Sequence, residues 1–159
     1  MKANGERLDH VLKWLLAWQG AIRLRDYDTA KKMFVEEVFA FGTVTTVAAG
    51  LDRLVAQQWQ KQWPNNVAFT FEFVHAFVVD ARGTWIVALP WSSRTTIPGQ
   101  IRKGRATIVL RQFDTGLKCI HSHFSLSPDE NQNSLRTDDH AIGIQAPQNP
   151  VPPQLRSDR

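Results

Sequence analysis

The sequence predicts an α+β domain in which helices pack against one face of a curved, largely antiparallel sheet. Two observations lead to this fold class. Apolar residues recur at helical spacing through the first third of the chain. From Val67 to Leu126, β-branched and aromatic residues alternate with polar ones between short turns that contain glycine. Helices followed by a run of consecutive strands are the order typical of α+β domains.

Three helices are expected before the main run of strands. Residues 6–25 carry apolar side chains three or four positions apart, which is the pattern of an amphipathic helix. Asp28 has the chemistry of an N-cap for a second helix over residues 29–35. Residues 50–63 form the third, which Pro64 ends because proline cannot continue a helical hydrogen-bond ladder.

The other predicted elements are strands. Residues 38–47 are rich in β-branched and aromatic residues, with a bend or bulge at Gly42. Four more strands follow, and the last two are joined by a hairpin turn at residues 114–116. These four strands cover residues 67–79, 84–96, 101–113 and 117–126.

The chain of 159 residues is expected to form one folded domain over residues 1–128, followed by a polar tail. Residues 129–159 contain four prolines and no aromatic residue, and they are rich in Asn, Gln, Ser and Asp. Such a segment has too few apolar side chains to build a core of its own.

Composition also narrows the compartment and the partners. The one cysteine, Cys119, excludes an internal disulfide and a cysteine-cluster metal site, and it favours a reducing cytoplasm. Charged residues interrupt the start of the chain, so we expect no signal peptide, and no apolar run is long enough for a membrane span. The net charge is +4, with a basic excess over residues 82–128. We interpret that excess as solvated strand edges and expect no nucleic-acid partner, because no nucleic-acid motif accompanies it.

His121 and His123 are the candidate catalytic residues. Because side chains alternate along a strand, both are expected on one face with Cys119 and Ser125. An imidazole in a pocket wall could act as a general acid or base; the alternative is a buried neutral ring hydrogen-bonded to the backbone. Two histidines supply only two metal ligands, and His75 is the available third. We expect neither a metal nor a cofactor.

The opposite face of the last strand is apolar. It is expected to present Ile120, Phe124 and Leu126, together with Val109 or Ile108, as a surface covered by a second copy of the chain.

The aromatic content is high, with six Trp and nine Phe against one Tyr, which indicates a lined cavity as well as ordinary core packing. Arg105, with Arg94 as the alternative, could hold a carboxylate or enolate of a ligand. Which face Arg105 occupies depends on the length of the hairpin loop.

Several motifs together point to a family. RDYDTAKKMFVEEVFAFGT, a helix that opens with GLDRL, and GRATIVLR followed by DTGLKCIHSHFSLSP resemble the SnoaL-like branch of the nuclear transport factor two-like superfamily over residues 8–128. The H-x-H-x-S of the final strand is shared with the association domain of calcium/calmodulin-dependent kinases. The chain departs from the family at Leu117, where a Trp is usual.

The resemblance implies a cone: a curved, mixed, mostly antiparallel sheet wrapped around three N-terminal helices, enclosing a pocket and often dimerising through its convex side. It places the two histidines on the concave face. It also places Trp18, Trp59 and Trp91 at the seam between helices and sheet. The predicted substrate-binding residues are Trp18, Phe41, Trp59, Phe73, Trp91 and Arg105.

Two functional hypotheses follow, because superfamily members include ketosteroid isomerase, scytalone dehydratase, polyketide cyclases and non-catalytic scaffolds. The first is a cofactor-independent isomerase, dehydratase or cyclase that uses His121 or His123 on a small apolar or aromatic carbonyl compound. The second is a ligand-binding or dimeric scaffold module without catalysis. The carboxylate and tyrosine pair of the isomerase is not evident, since the single tyrosine, Tyr27, lies between two helices.

Overall fold

The computed structural model describes residues 2–128, and it describes side chains from Leu8 onward. The predicted polar tail, residues 129–159, lies outside the described residues. The proposed boundary between domain and tail therefore stays a prediction.

Three helical stretches precede the main strands, as expected. The first two are α1 (Lys2–Leu24) and α2 (Tyr27–Lys32). The third is built of four consecutive pieces: α3 (Leu51–Leu54), a π-helical turn (Val55–Trp59), α4 (Gln60–Gln62) and a 3-10 turn (Trp63–Asn65).

Seven strands form one mixed sheet. They are β1 (Phe34–Phe41), β2 (Ala48–Ala49), β3 (Asn66–Phe71), β4 (Phe77–Asp80), β5 (Thr84–Thr95), β6 (Ile101–Phe113) and β7 (Gly116–Leu126). The strand order is β2-β1-β7-β6-β5-β3, and β4 also pairs with β5. The β1–β7 pair is parallel and the other pairs are antiparallel. The α+β fold with a mixed, mostly antiparallel sheet and a few helices is confirmed.

Helix α1 packs on the inner face of the sheet. Its apolar stripe, which includes Leu15 and Trp18, is buried because these positions recur once per helical turn. Gln19 on the same helix accepts a hydrogen bond from the backbone N–H of Phe71 at 2.7 Å, and Arg23 donates to the carbonyl of Phe69. The helix is thereby fixed to β3, where Ala68 at φ 55° interrupts the regular ladder.

The boundary between α2 and β1 differs from the prediction. Asp26, and not Asp28, caps α2: its carboxylate accepts hydrogen bonds from the backbone N–H of Thr29 at 3.0 Å and from the Thr29 hydroxyl at 2.6 Å. These two bonds lower the pKa of Asp26. Phe34 pairs with Cys119 of β7, so strand pairing overrides local helix propensity and β1 begins four residues earlier than predicted.

The predicted strand over residues 67–79 is divided by a 3-10 turn, Phe73–His75. Strand β3 pairs with one half of β5 and β4 with the other half. The break follows Glu72, whose N–H donates to the carbonyl of Pro90 at 3.0 Å. The alternation of phenylalanines therefore does not continue on one face, and Phe77 is 76% exposed.

Candidate functional site: an aromatic cavity between the helices and the sheet

A cavity lies between α1, the third helical stretch and the inner face of the sheet. Its unfilled space, including the part open to solvent, is about 490 Å³, and about 40 Å³ of this is available to the centre of a water molecule. Since one buried water needs ~10–15 Å³ on the second measure, the cavity has room for about three waters. Aromatic residues make up much of the wall. Phe41, whose ring lies on the outer face beside His123, borders the cavity at the end of β1, and the other aromatic residues of the wall are Trp18, Trp59, Trp63, Phe69, Trp91 and Phe124.

Ring contacts hold this wall in place. Trp18 lies 5.0 Å from Phe34 and 5.5 Å from Phe124, centroid to centroid, with both pairs edge-to-face. Trp59 and Trp63 stack at 4.7 Å with a 17° angle between their planes, and Tyr27 continues the stack at 5.1 Å. Offset-stacked and edge-to-face pairs are the favoured arrangements of aromatic rings, so these contacts stabilise the positions of the rings in the wall.

Gln58 shapes the rim. Its side-chain oxygen accepts hydrogen bonds from the backbone N–H groups of Val44 at 3.1 Å and Thr45 at 3.2 Å. Its amide nitrogen donates to the Thr43 hydroxyl at 3.2 Å. A Cβ at Gly42 would overlap the Gln58 side chain, so glycine permits this close approach. One buried glutamine thus fixes the loop that follows β1.

Further polar groups complete the wall. Asn66 accepts hydrogen bonds through its side-chain oxygen from Gln62 at 3.2 Å and from the Ser93 hydroxyl at 3.3 Å. Ser122 of β7, which is 3% exposed, also lines the space. The guanidinium carbon of Arg102 lies 5.9 Å from the centre of the Trp91 ring, and partial burial lowers the pKa of this arginine.

His121 and His123 do not line this cavity, and their predicted placement on the inner face is wrong. Val109 pairs with His121, whereas the next residue of β6, Leu110, pairs with Cys119. Ile120 is therefore an extra residue in β7, a β-bulge that reverses the alternation of side chains. Before the bulge Cys119 faces inward and is fully buried; after it the histidines face outward.

The histidines lie beside aromatic rings on the outer face. His121 donates a hydrogen bond from Nδ1 to the backbone carbonyl of Phe39 at 3.0 Å, and its ring lies 4.3 Å from the Phe39 ring. The Phe41 ring meets both imidazoles edge-on, at 5.6 Å from His121 and 5.5 Å from His123. His123 also lines a shallow outer groove with His75. The catalytic role of the two histidines stays a prediction, and neither histidine contacts the cavity.

Arg105 and Phe73 also lie outside the cavity. Arg105 is exposed on the outer face, in the groove that contains His123. The β6–β7 loop has two residues, since Phe113 pairs with Gly116, and this register puts the even-numbered residues of β6 inward. Phe73 lies in the 3-10 turn and lines a separate depression near Trp85.

The apolar surface predicted opposite the histidines changes accordingly. Phe124 packs into the interior with Ile108, which is fully buried. Val109 lies on the outer face beside His121.

Of the predicted binding residues, the structure brings together Trp18, Phe41, Trp59 and Trp91 in the cavity wall. Their contact with a ligand stays a prediction. Sequence reasoning missed Arg102 and the glutamines of the third helical stretch. Gly104 and Ala106 face inward, and Arg102 lies two and four residues before them on the same strand. A known hairpin register would therefore have placed Arg102 on the inner face.

Among the side chains of residues 8–128 there is no group of three His, Cys, Asp or Glu arranged to hold a metal ion. Within residues 2–128, none of the helices has both the length and the apolar content needed to cross a bilayer.

Solved structures with the same fold share little sequence with this chain. A candidate dehydratase of the NTF2-like family from Streptomyces avermitilis is 16% identical, with a TM-score of 0.70 over 79% of this chain and 99% of that one. An NTF2-like superfamily protein from Salmonella enterica serovar Typhimurium is 13% identical, with a TM-score of 0.64 over 82% and 96%. A candidate calcium/calmodulin-dependent protein kinase II association domain from Xanthomonas campestris is 14% identical, with a TM-score of 0.65 over 75% and 86%. These likenesses show the fold.

No protein of curated function matches the sequence. A family model matches it, however. The model of the SnoaL-like domain matches residues 11–130, which include α1 from Val11 onward and the whole sheet. With the fold and the match in agreement, the chain belongs to the SnoaL-like domain family.

Proposed function

We propose that this protein binds a small, largely apolar molecule with a flat ring in the aromatic cavity. The wall of the cavity supports this most directly: ordered tryptophan and phenylalanine rings surround a space that opens to solvent. Small-molecule sites are typically concave and apolar with a few polar groups. Because the inner space is narrow, a ring would occupy the mouth beside Phe41, which is 39% exposed, as well as the interior.

The cavity favours binding over turnover. Among the described residues of its wall there is no His, Asp, Glu, Cys, Lys or Tyr that could exchange a proton with a substrate. Arg102 is the ionisable group present, and a guanidinium keeps its proton at neutral pH. The isomerase, dehydratase or cyclase hypothesis therefore has no general base at this position, and we propose a ligand-binding role in its place.

The experiment is titration calorimetry with benzyl alcohol, a small neutral compound that contains one aromatic ring. Ser122→Leu places a larger side chain in the cavity and should abolish binding. Ser125→Leu, three residues along β7 on the outer face, is the matched control and should leave affinity unchanged. Equal affinity in both variants, or no binding to the wild type, would refute the cavity as the site. Thermal unfolding of each variant checks that the fold is retained.

A second proposal concerns assembly: two copies of the chain pair through the outer face of the sheet. One row of neighbouring residues crosses five strands there: Phe39, His121, Val109, Ile86 and Val79. A second row beside it contains Phe41, His123, Thr107, Ala88 and Phe77. Several of these apolar side chains are 39–76% exposed, which is unusual for a contiguous patch on a monomer.

The size of this face fits a second copy. Strands β1, β7, β6, β5 and β4 have eight, 11, 13, 12 and four residues. At ~3.3 Å per residue and ~4.8 Å between strands, their face covers about 760 Å². A standard protein interface buries about 800 Å² per partner, so a face-to-face dimer would use nearly all of it.

We also propose a cytoplasmic location. The single thiol, that of Cys119, is free and buried, as suits a reducing compartment.

A further inference from the structure

Arg102 is a partly buried cation that contacts the Trp91 ring and has no hydrogen-bond or ion-pair partner among the described residues. It lies on the inner face of β6, where the cavity meets solvent, and its one recorded contact is with the Trp91 ring. No described residue accepts a hydrogen bond from its guanidinium or forms an ion pair with it. Two other arginines show the contrast: Arg23 donates to the Phe69 carbonyl and the Thr70 hydroxyl, and Arg25 donates to the Pro64 carbonyl.

This arrangement is unfavourable for the charge of Arg102. Burial lowers the pKa of Arg102, which reflects the loss of water around the charge. An arginine stays charged at neutral pH even when it is partly buried. The free energy lost with its hydration is therefore recovered only when an anion or a hydrogen-bond acceptor contacts the guanidinium. The face of Trp91 offsets part of this loss through a cation–π interaction. The remaining hydrogen-bonding capacity of the guanidinium is directed at no acceptor among residues 8–128.

The wall also contains buried indole N–H groups. Those of Trp18 and Trp91, like that of Trp14 outside the cavity wall, have no acceptor in the described part of the chain. Trp18 and Trp91 line the cavity and are less than 4% exposed. No Asp or Glu is among the described wall residues, so the site carries one positive charge and no negative one. A ligand that complements the charge of Arg102 must bring one negative charge.

We infer that the ligand carries a carboxylate, which Arg102 binds at the edge of the cavity while the apolar part of the molecule lies against the aromatic wall. A carboxylate fits better than a phosphate, because one guanidinium matches its single charge and its two oxygens in a bidentate pair. The doubly charged phosphate would need more donors than this narrow space provides. The inference rests on the proposed ligand-binding function and specifies the chemical class of the ligand.

The test compares benzoate with benzamide, which have nearly the same shape and differ in charge. Titration calorimetry at pH 7 should show benzoate binding about tenfold more tightly or better, as expected for a charge-assisted hydrogen bond of ~1.5–3 kcal/mol. Arg102→Gln should remove this preference, so that benzoate and benzamide bind the variant with equal affinity. Arg105→Gln, on the outer face of the same strand, is the control and should preserve the preference.

The outcomes separate the two proposals. If wild-type protein binds both probes equally, the carboxylate inference is overturned while the ligand-binding function stands, and this comparison needs no variant. If the benzoate preference survives in Arg102→Gln, the charge is recognised elsewhere and the role of Arg102 is refuted. If neither probe binds, the ligand-binding proposal itself fails and the inference falls with it.

Discussion

Gly104 lies directly opposite Trp91 across the β5–β6 pair, and the Trp91 indole covers the space that a Cβ at position 104 would occupy. The backbone carbonyl of Ser125 closes the same space from β7. The glycine thus allows a large ring to lie flat against the sheet. Arg102, two residues away on the same face, reaches over that ring. The absence of a side chain at Gly104 therefore allows both Trp91 and Arg102 to take their positions in the cavity wall.

Replacing this glycine tests the arrangement. Gly104→Ala should lower the free energy of unfolding by about 1–3 kcal/mol, the usual cost of overpacking, because Trp91 must move. Urea denaturation measures the change. Gly20→Ala is the control: a Cβ there meets open space in the middle of α1, so it should raise stability by about 0.5–1 kcal/mol. Equal effects of the two variants would contradict the packing described for Trp91.

The thiol of Cys119 should be inert in the folded protein. It is fully buried, donates to the His121 carbonyl at 3.2 Å, and burial raises its pKa well above the ordinary range. Ellman's reagent should react only after unfolding. Rapid labelling of the native protein would contradict the inward position of Cys119 at the bulge.

The same shift predicts a pH dependence of stability. Because the folded pKa is raised, the unfolded chain releases this proton first, and stability falls as pH rises above about 9. The slope contributed by this one group is about 1.4 kcal/mol per pH unit. Cys119→Ala should lack that component when unfolding free energies are compared between pH 7.5 and 10. An identical decline in both proteins would contradict it.

The Asp26 cap of α2 should make stability depend on pH at the acidic end, where stability falls as the pH is lowered. The pKa of Asp26 is lowered by its hydrogen bonds to Thr29, so its stabilising effect is present above about pH 4 and is lost as pH falls below that value. Asp26→Asn keeps a hydrogen-bond acceptor and removes the charge. Its unfolding midpoint should fall less between pH 6 and pH 3 than that of the wild type. A parallel loss in both would contradict a contribution of the Asp26 charge to stability.

The proposed dimer is tested by placing a charge at the middle of the outer face. Sedimentation should give the wild type twice the mass of the 18.1 kDa chain. Ile86→Lys should raise the dissociation constant about 30-fold or more, since burying an unpaired charge at an interface costs about 2 kcal/mol or more. Val74→Lys, at an apolar residue 93% exposed outside the two rows, should leave the mass unchanged. A monomeric wild type would refute this assembly.

The fold was predictable because its signals are regular over long stretches. The buried positions of α1 follow the 3.6-residue period, and β5 and the middle of β6 alternate between buried residues and more exposed ones. The ends of the helices and strands were harder to predict from the sequence. Phe34 became part of a strand through its pairing with Cys119, which lies more than 80 positions away in the chain.

The site was harder to predict for one main reason, the extra residue at Ile120. Strict alternation of β7 placed the histidines with Cys119, but a single bulge moved them to the opposite face. Nothing in the local composition around Ile120 marks that bulge, since neither glycine nor proline is present. The tryptophans of the wall were identified through the family resemblance, which places Trp18, Trp59 and Trp91 at the seam between helices and sheet. Arg102 required the length of a hairpin loop that the sequence leaves open.

The most direct measurement of the central claim is a set of intermolecular NOEs between bound benzyl alcohol and the protein. The account predicts contacts from the probe ring to the indole protons of Trp59 and Trp91 and to the ring of Phe124. Contacts confined to the outer-face rings of Phe39 and Phe77, or to none, would contradict a ligand-binding cavity between the helices and the sheet.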